Sequence, residues 1–207
     1  MSDDGPIGGG AAGKGPRERM IVHAADLIGR DGVAATSIGD VITASGAPRG
    51  SIYHHFPGGR TQLMTEAIRY AGDRISTRIA QGRPGSAGEV AVAVGEQWRR
   101  MLVATDYEFG CPVLAAGLAR RTEPAVADEA EQIFADWVSL ISSRLVMEGI
   151  DVDRATSLAE LVITAIEGAV GLCQTRRSVA PLDRVIDELA RSCEAARRDG
   201  YHEKTTA

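Results

Sequence analysis

The stretch from Ser37 to Leu63, SIGDVITASGAPRGSIYHHFPGGRTQL, constrains the fold more than any other part of this chain. Ser37 can cap a helix with its side-chain oxygen, and Ile38, Val41 and Ile42 recur at helical spacing. Gly46 follows at once and can take the left-handed geometry that ends a helix. Pro48 then stands where a missing N–H is tolerated, at the start of a second short helix over roughly Pro48 to His55. In that second helix only Ile52 and Phe56 point inward. Arg49, Ser51, Tyr53, His54 and His55 carry hydrogen-bonding groups, and Gly50 lets the backbone approach a neighbour closely. So short a helix with so polar a flank suits the major groove of duplex DNA, where base edges are read by such groups.

Helical signals continue to both sides. A first helix is predicted from Arg17 to Asp31 and a long one from Arg60 to Gln81, with Leu63, Met64, Ala67, Ile68, Ala71 and Ile75 inward. Gly82, Pro84, Gly85 and Gly88 mark a linker. Beyond it, helices are expected through Val90–Leu102, Pro112–Ala119, Ala125–Met147, Arg154–Thr175 and Pro181–Arg197. No convincing alternating strand pattern appears, so the fold class is all-α.

The pattern Thr36-Ser37-Ile38, Ala44-Ser45-Gly46-Ala47, Gly50-Ser51-Ile52-Tyr53-His54-His55-Phe56 and Leu63 resembles the helix-turn-helix of TetR-type transcriptional repressors. Ala24-Ala25, Leu27-Ile28 and Gly32 match that family's first helix and turn, so the resemblance covers the chain from near Arg17 to Ser76. The Phe-Pro-Gly-Gly-Arg run, one residue longer than the commonest form, and Gly110-Cys111-Pro112 are similar to the LmrA- and YxaF-like branch of drug-responsive repressors. Pro48 departs from the family, many of whose members have a Ser or Thr cap there. The glycine- and alanine-rich residues 1–15 are expected to form a flexible arm, and the resemblance implies a three-helix DNA-binding domain over 16–76 with its motif at 37–56. A helical ligand-binding and dimerisation domain follows over 88–200.

It also implies roles. Arg49, Ser51 and His54 are the candidates for base edges. Tyr53 and His55 would face phosphates, as would Thr36 and Ser37 from the preceding helix, and Arg60 would reach the backbone from the long helix. The last two helices would pair with their copies in a second subunit. Leu158, Leu161, Val162, Ala165, Ala169 and Leu172 in one, and Leu182, Val185, Ile186 and Leu189 in the other, form the candidate interface. The first of these helices is apolar over more than one face, which calls for a second partner; closing a monomer's own core is the alternative. Trp98, Met101, Phe109, Cys111, Phe134 and Trp137 are candidates for a ligand pocket or for plain core. Cys111 is either a small buried side chain at a helix start or a redox-sensitive thiol.

Composition fits without deciding. The 207 residues carry a net charge of −5, which argues against indiscriminate polyanion binding. From Lys14 to Arg60 there are six Lys/Arg against four Asp/Glu, so specificity must come from geometry rather than from a charged stripe. Three widely spaced cysteines make neither a zinc pattern nor a disulfide framework. The richest apolar stretch, Leu158–Cys173, is interrupted by Glu160 and Glu167, and the N-terminus with Asp3 and Asp4 is no signal peptide. A cytoplasmic protein without membrane partner is expected. Gly8–Lys14 imitates a phosphate-binding loop, but Gly15 stands where the Mg²⁺-binding hydroxyl belongs and no strand precedes it. The run is better read as part of a flexible arm, with contacts from Lys14, Arg17 and Arg19 to DNA backbone as the alternative.

Adjacent His54 and His55 point about a hundred degrees apart on a helix, and no H-x-x-x-H spacing exists. No metal, no cofactor and no enzymatic activity are therefore expected. The expectation is a homodimeric repressor that binds a palindromic double-stranded operator and is released by a small hydrophobic effector. A dimeric adaptor that has lost DNA binding is the alternative, with an α-helical enzyme a distant third.

Overall fold

The computed structural model describes residues 15–81 and 85–205, with Arg49 and residues 198–205 given by their backbone alone. Lys14, the loop-like Gly8–Lys14 run and the arm before Gly15 lie outside the described residues. All regular structure in the described part is helical, as the sequence pattern predicts. In chain order these are α1 (Pro16–Asp31), α2 (Ile38–Ser45), a 3-10 turn (Arg49–Ser51), α3 (Ile52–His55), α4 (Gly59–Gln81) and α5 (Ala87–Ala104). They are followed by α6 (Pro112–Leu118), α7 (Pro124–Met147), α8 (Val152–Arg176) and α9 (Ala180–Thr205).

The helices fall into two compact units that are not contiguous in sequence. The first takes the described residues up to Ile75 together with Phe109–Phe134; the second takes Ser76–Glu108 and everything from Ala135. In the first unit α1 buries Met20, Ile21, Val22, Ala24, Ala25, Ile28 and Gly29, and α4 buries Leu63, Met64, Ala67, Ile68, Ala71 and Ile75, the expected i, i+4 stripe. Segment 109–134 joins this unit because Gly29 leaves room for it. The Phe109 ring occupies the place a side chain at position 29 would take, and the Gly110 amide donates to the Gly29 carbonyl at 2.8 Å. Arg69 forks onto Glu129 of α7 at 2.9 and 2.6 Å.

The second unit is built on α5, α8 and α9. Gly95 of α5 admits the side chain of Ile186 from α9. Gly88, expected in a linker, lies inside α5 and is buried. A side chain there would stand 2.9 Å from the Ala190 carbonyl, and its amide donates to Glu194 at 2.9 Å. The glycine serves helix packing, not chain flexibility. Gly82 and Pro84 of the expected linker lie outside the described residues. Helix α8 is long and apolar enough to cross a membrane, which the two interrupting glutamates do not prevent. Its apolar residues are divided, however. Leu158, Val162, Ile166, Ala169, Val170 and Cys173 are buried inside the unit, while Leu161 and Leu172 are each 48% exposed.

Candidate nucleic-acid interface

Helix α2 begins in a reciprocal cap. The Asp40 amide donates to Ser37 Oγ at 3.1 Å, while the Ser37 amide and hydroxyl donate to Asp40 Oδ2 at 3.0 and 2.6 Å. These hydrogen bonds, the hydroxyl's first, hold the Asp40 carboxyl below its ordinary value. The S-x-x-D spacing carries this capping signature in the sequence. At the other end Gly46 takes φ 62°, the left-handed conformation expected of it, and Arg19 Nε of α1 donates to the Ser45 carbonyl at 3.0 Å. Val41 is fully buried against the unit's interior, with Ile38 and Ile42 half-buried beside it.

The second short helix is not one α-helix from Pro48. Pro48 is extended (φ −62°, ψ 135°), Arg49–Ser51 form the 3-10 turn, and α3 occupies only Ile52–His55. The cause is local. Gly50 has low helix propensity, and both the Ser51 amide and its hydroxyl bond back to the Pro48 carbonyl, at 2.9 and 2.7 Å. Two buried residues anchor the segment: Ile52 and Phe56. Arg17 passes over the Phe56 ring, 5.1 Å from its centroid, and pairs with Glu66 at 2.6 Å. The longer Phe-Pro-Gly-Gly-Arg turn closes through a Gly59 amide to Phe56 carbonyl bond of 2.8 Å, with Gly59 at φ 65°, a conformation its glycine permits.

The expected contact residues are therefore distributed unequally. Tyr53 is 69% exposed, His54 and Gly50 are exposed, and His55 and Ser51 are half-buried; the two imidazoles meet edge to face at 5.1 Å. The Arg49 side chain lies outside the described residues. Ser37 is exposed but its hydroxyl is committed to the cap. Thr36 points the other way: it is 2% exposed, and its hydroxyl donates to the Gly32 carbonyl at 2.9 Å. Arg60 is also turned inward, onto Glu123 and the carbonyls of Val33 and Thr36. Neither residue presents its polar group to solvent as the resemblance leads one to expect. The loop carbonyls and Glu123, 63 residues away, claim them first.

The candidate pocket residues divide between the units. Phe109, Cys111 and Phe134 belong to the first; Trp98, Met101 and Trp137 belong to the second. Trp98 and Trp137 are buried, and the Trp137 indole donates to Ser76 Oγ at 2.9 Å. Cys111 is buried and caps α6, its Sγ accepting from the Leu114 amide at 3.3 Å. Arg120, the cation nearest to Cys111 in sequence on its C-terminal side, is paired with Asp128 and Glu131.

Of the candidate interface residues, Leu158, Val162, Ala169, Leu182 and Ile186 fill the second unit's own core. Leu161, Ala165, Leu172 and Val185, together with the buried Leu189, line an apolar groove of about 450 Å³ between α8 and α9, rimmed by Arg176, Arg184 and Glu188.

Comparison with known proteins agrees with this architecture. Residues 21–67 match the model of bacterial regulatory proteins of the tetR family, and residues 87–188 match the C-terminal domain of LmrA/YxaF-like transcriptional regulators. An uncharacterized HTH-type transcriptional regulator of Mycobacterium tuberculosis is 43% identical over 183 residues, 85% of this chain and 93% of that one. The HTH-type transcriptional regulator LmrA of Bacillus subtilis is 30% identical over 175 residues, 80% and 90% of the two chains. Among solved structures, a TetR transcriptional regulator from Legionella pneumophila shares the fold with a TM-score of 0.75 at 23% identity, over 86% of this chain and 97% of that one. With its capped α2, anchored α3 and two-part helical body, this chain belongs to the TetR family of DNA-binding transcriptional regulators, in the LmrA/YxaF-like branch, and is not an enzyme.

Proposed function

We propose that the protein is a homodimeric repressor that holds a palindromic operator and lets go of it when a small hydrophobic molecule binds. The observation that carries the dimer is the second unit's divided apolar surface. Leu161 and Leu172 remain half exposed beside a groove whose rim carries both signs of charge. A Cβ at Gly168 or Gly171 would meet nothing within 4 Å among the described residues, so packing there does not require these glycines. A second copy of α8 and α9 would use both features, since a twofold interface brings each patch against itself.

Pairing also solves a problem of affinity. A 3-10 turn and one turn of α3 offer few base contacts, and two copies spaced by about 34–36 Å double them along one face of the duplex. On this reading Arg49, Ser51 and His54 meet base edges and Tyr53 and His55 meet phosphates, while Ser37, whose donors are held by Asp40, acts by starting α2. Residues 16–76 act as the DNA-binding domain, residues 88–200 carry ligand binding and dimerisation, and the arm before them adds backbone contacts. The protein works in the cytoplasm, where the DNA is.

Release requires an effector that binds the non-operator conformer more tightly than the operator-bound one, because only that difference moves the equilibrium. Trp98, Met101 and Trp137, all apolar and in one unit, are the residues of the second unit proposed to meet it, with Phe109, Cys111 and Phe134 as the corresponding candidates in the first. The test is a gel shift on a duplex selected from a random pool, repeated with a panel of hydrophobic drugs and metabolites, alongside light scattering for mass. A monomer at micromolar concentration, or operator binding that no compound weakens, would refute the dimer and the effector respectively.

A further inference from the structure

We propose that Arg60 is a positioning residue that latches the turn before α2 to the turn before α7, and that operator affinity depends on this latch rather than on a phosphate contact from Arg60. The inference rests on the reading that α2 and α3 meet DNA. Arg60 sits in the first turn of α4, where the resemblance expects a cation reaching outward. Its guanidinium instead takes three acceptors of the same unit. One Nη donates to the Val33 and Thr36 carbonyls at 2.6 and 3.0 Å, and the other pairs with the Glu123 carboxylate. Both side chains are mostly withdrawn from water, at 28% and 21% exposure.

Each partner is itself fixed. Thr36 is buried, with its own hydroxyl bound to Gly32, and it immediately precedes Ser37, the residue that starts α2. Glu123 ends the turn after α6, its amide bound to the Ala119 carbonyl at 2.8 Å and its carbonyl accepting from Ala127 of α7 at 3.1 Å. The planar fork of an arginine can reach two carbonyls and a carboxylate together; a lysine ammonium, one point on a flexible stem, cannot hold the same three. The latch therefore sets the backbone that presents α2, and it makes the position of the α6–α7 turn a determinant of that presentation.

The two roles make opposite predictions. If Arg60 contacts phosphate, Arg60→Lys keeps affinity, Arg60→Gln lowers the slope of log K against log salt by about one per subunit, and Glu123→Gln is neutral or tightens binding by removing a negative charge. If Arg60 is the latch, Arg60→Lys, Arg60→Gln and Glu123→Gln each weaken binding roughly tenfold, the scale of one charge-assisted hydrogen bond, with the salt slope unchanged. The double variant is then no weaker than Arg60→Gln alone. Hydrogen exchange of the amides from Ser37 to Val41 gives a reading without DNA: it should quicken in the Arg60 and Glu123 variants, while α5 and α9 keep wild-type rates. Glu123→Gln, isosteric with the residue it replaces, decides the matter if an Arg60 variant fails to fold. Unchanged exchange at 37–41, or undiminished affinity in Glu123→Gln, overturns the proposal. Failure of the wild-type protein to retain any duplex from the pool would instead refute the assignment of α2 and α3 as the DNA-binding surface, whatever the exchange experiment shows.

Discussion

Replacing Gly29 with alanine places a methyl group where the Phe109 ring already stands. An ideal Cβ at position 29 overlaps Cε2 and Cζ of that ring and lies 3.0 Å from Cδ2. The ring has nowhere to go, because Phe109 is fully buried, and the next residue is tied to Gly29 by the 2.8 Å amide–carbonyl bond. Three effects compete. Alanine in a helix interior gains about 0.5–1 kcal/mol over glycine. Overpacking costs about 1–3 kcal/mol, and straining the Gly110 bond costs up to about 1 kcal/mol more. Crowding wins, with a net destabilisation of about 2 kcal/mol. The same substitution in a Phe109→Ala background meets an open space, so only the propensity gain remains and Gly29→Ala stabilises that variant by about 0.5–1 kcal/mol. The double-mutant cycle should then show a coupling of about 2.5–3 kcal/mol. Urea unfolding followed by far-UV circular dichroism measures all four corners. Additivity to within about 0.5 kcal/mol would refute the claim that the ring defines the glycine.

Ser37→Ala should cost about 1 kcal/mol of stability through loss of the α2 cap, read from thermal melts. In the wild type the depressed Asp40 value contributes stability above its ordinary 3.8 that is lost as pH falls through the folded value; that acid sensitivity should shrink in the variant. Leu161→Glu with Leu172→Glu should give a folded monomer by light scattering, whereas Leu158→Ala, at a buried site, should cost about 2–5 kcal/mol of stability. Burial pushes the Cys193 thiol from 9.0 up to about 11. The folded value exceeds the unfolded one, so this group's stabilisation is complete below pH 9.0 and declines as pH rises toward about 11. Cys193→Ala should flatten that alkaline decline in a pH series of melts. His54→Ala should cost about 1–3 kcal/mol of discrimination at one base-pair position, seen as relaxed preference across a panel of operator variants with an unaltered salt slope.

The helices were legible because their ends are chemically marked. Ser37, Gly46, Pro112 and the apolar stripe of α4 each state a local rule that tertiary structure does not override. Failures arose where a remote partner decides. Thr36 and Arg60 look like surface groups in one dimension, yet carbonyls of the adjoining turn and a carboxylate 63 residues on capture them. Gly88 reads as a breaker until Ala190 and Glu194 of α9 are brought against it. The apolar residues of α8 exceed what one face needs, as their spacing indicates. Periodicity could not say which of them, Leu158 or Leu161, turns to the inside. Within the recognition segment, the anchors Ile52 and Phe56 followed from spacing, while the 3-10 start depends on a Ser51 side chain folding back on its own backbone.

The chain visits its first unit twice, up to Ile75 and again from Phe109 to Phe134. No single cut therefore liberates either half intact. A fragment ending near Gly82 would lack the aromatic ring that sits on Gly29 and the carboxylate that Arg60 grips. A chimera joined there would bring in a stranger's versions of both. Recombination between relatives of this branch can exchange sensing modules cleanly only with junctions near residues 76, 109 and 135, so the inheritance of Phe109 and Glu123 should follow the reading head rather than the body in which they are encoded.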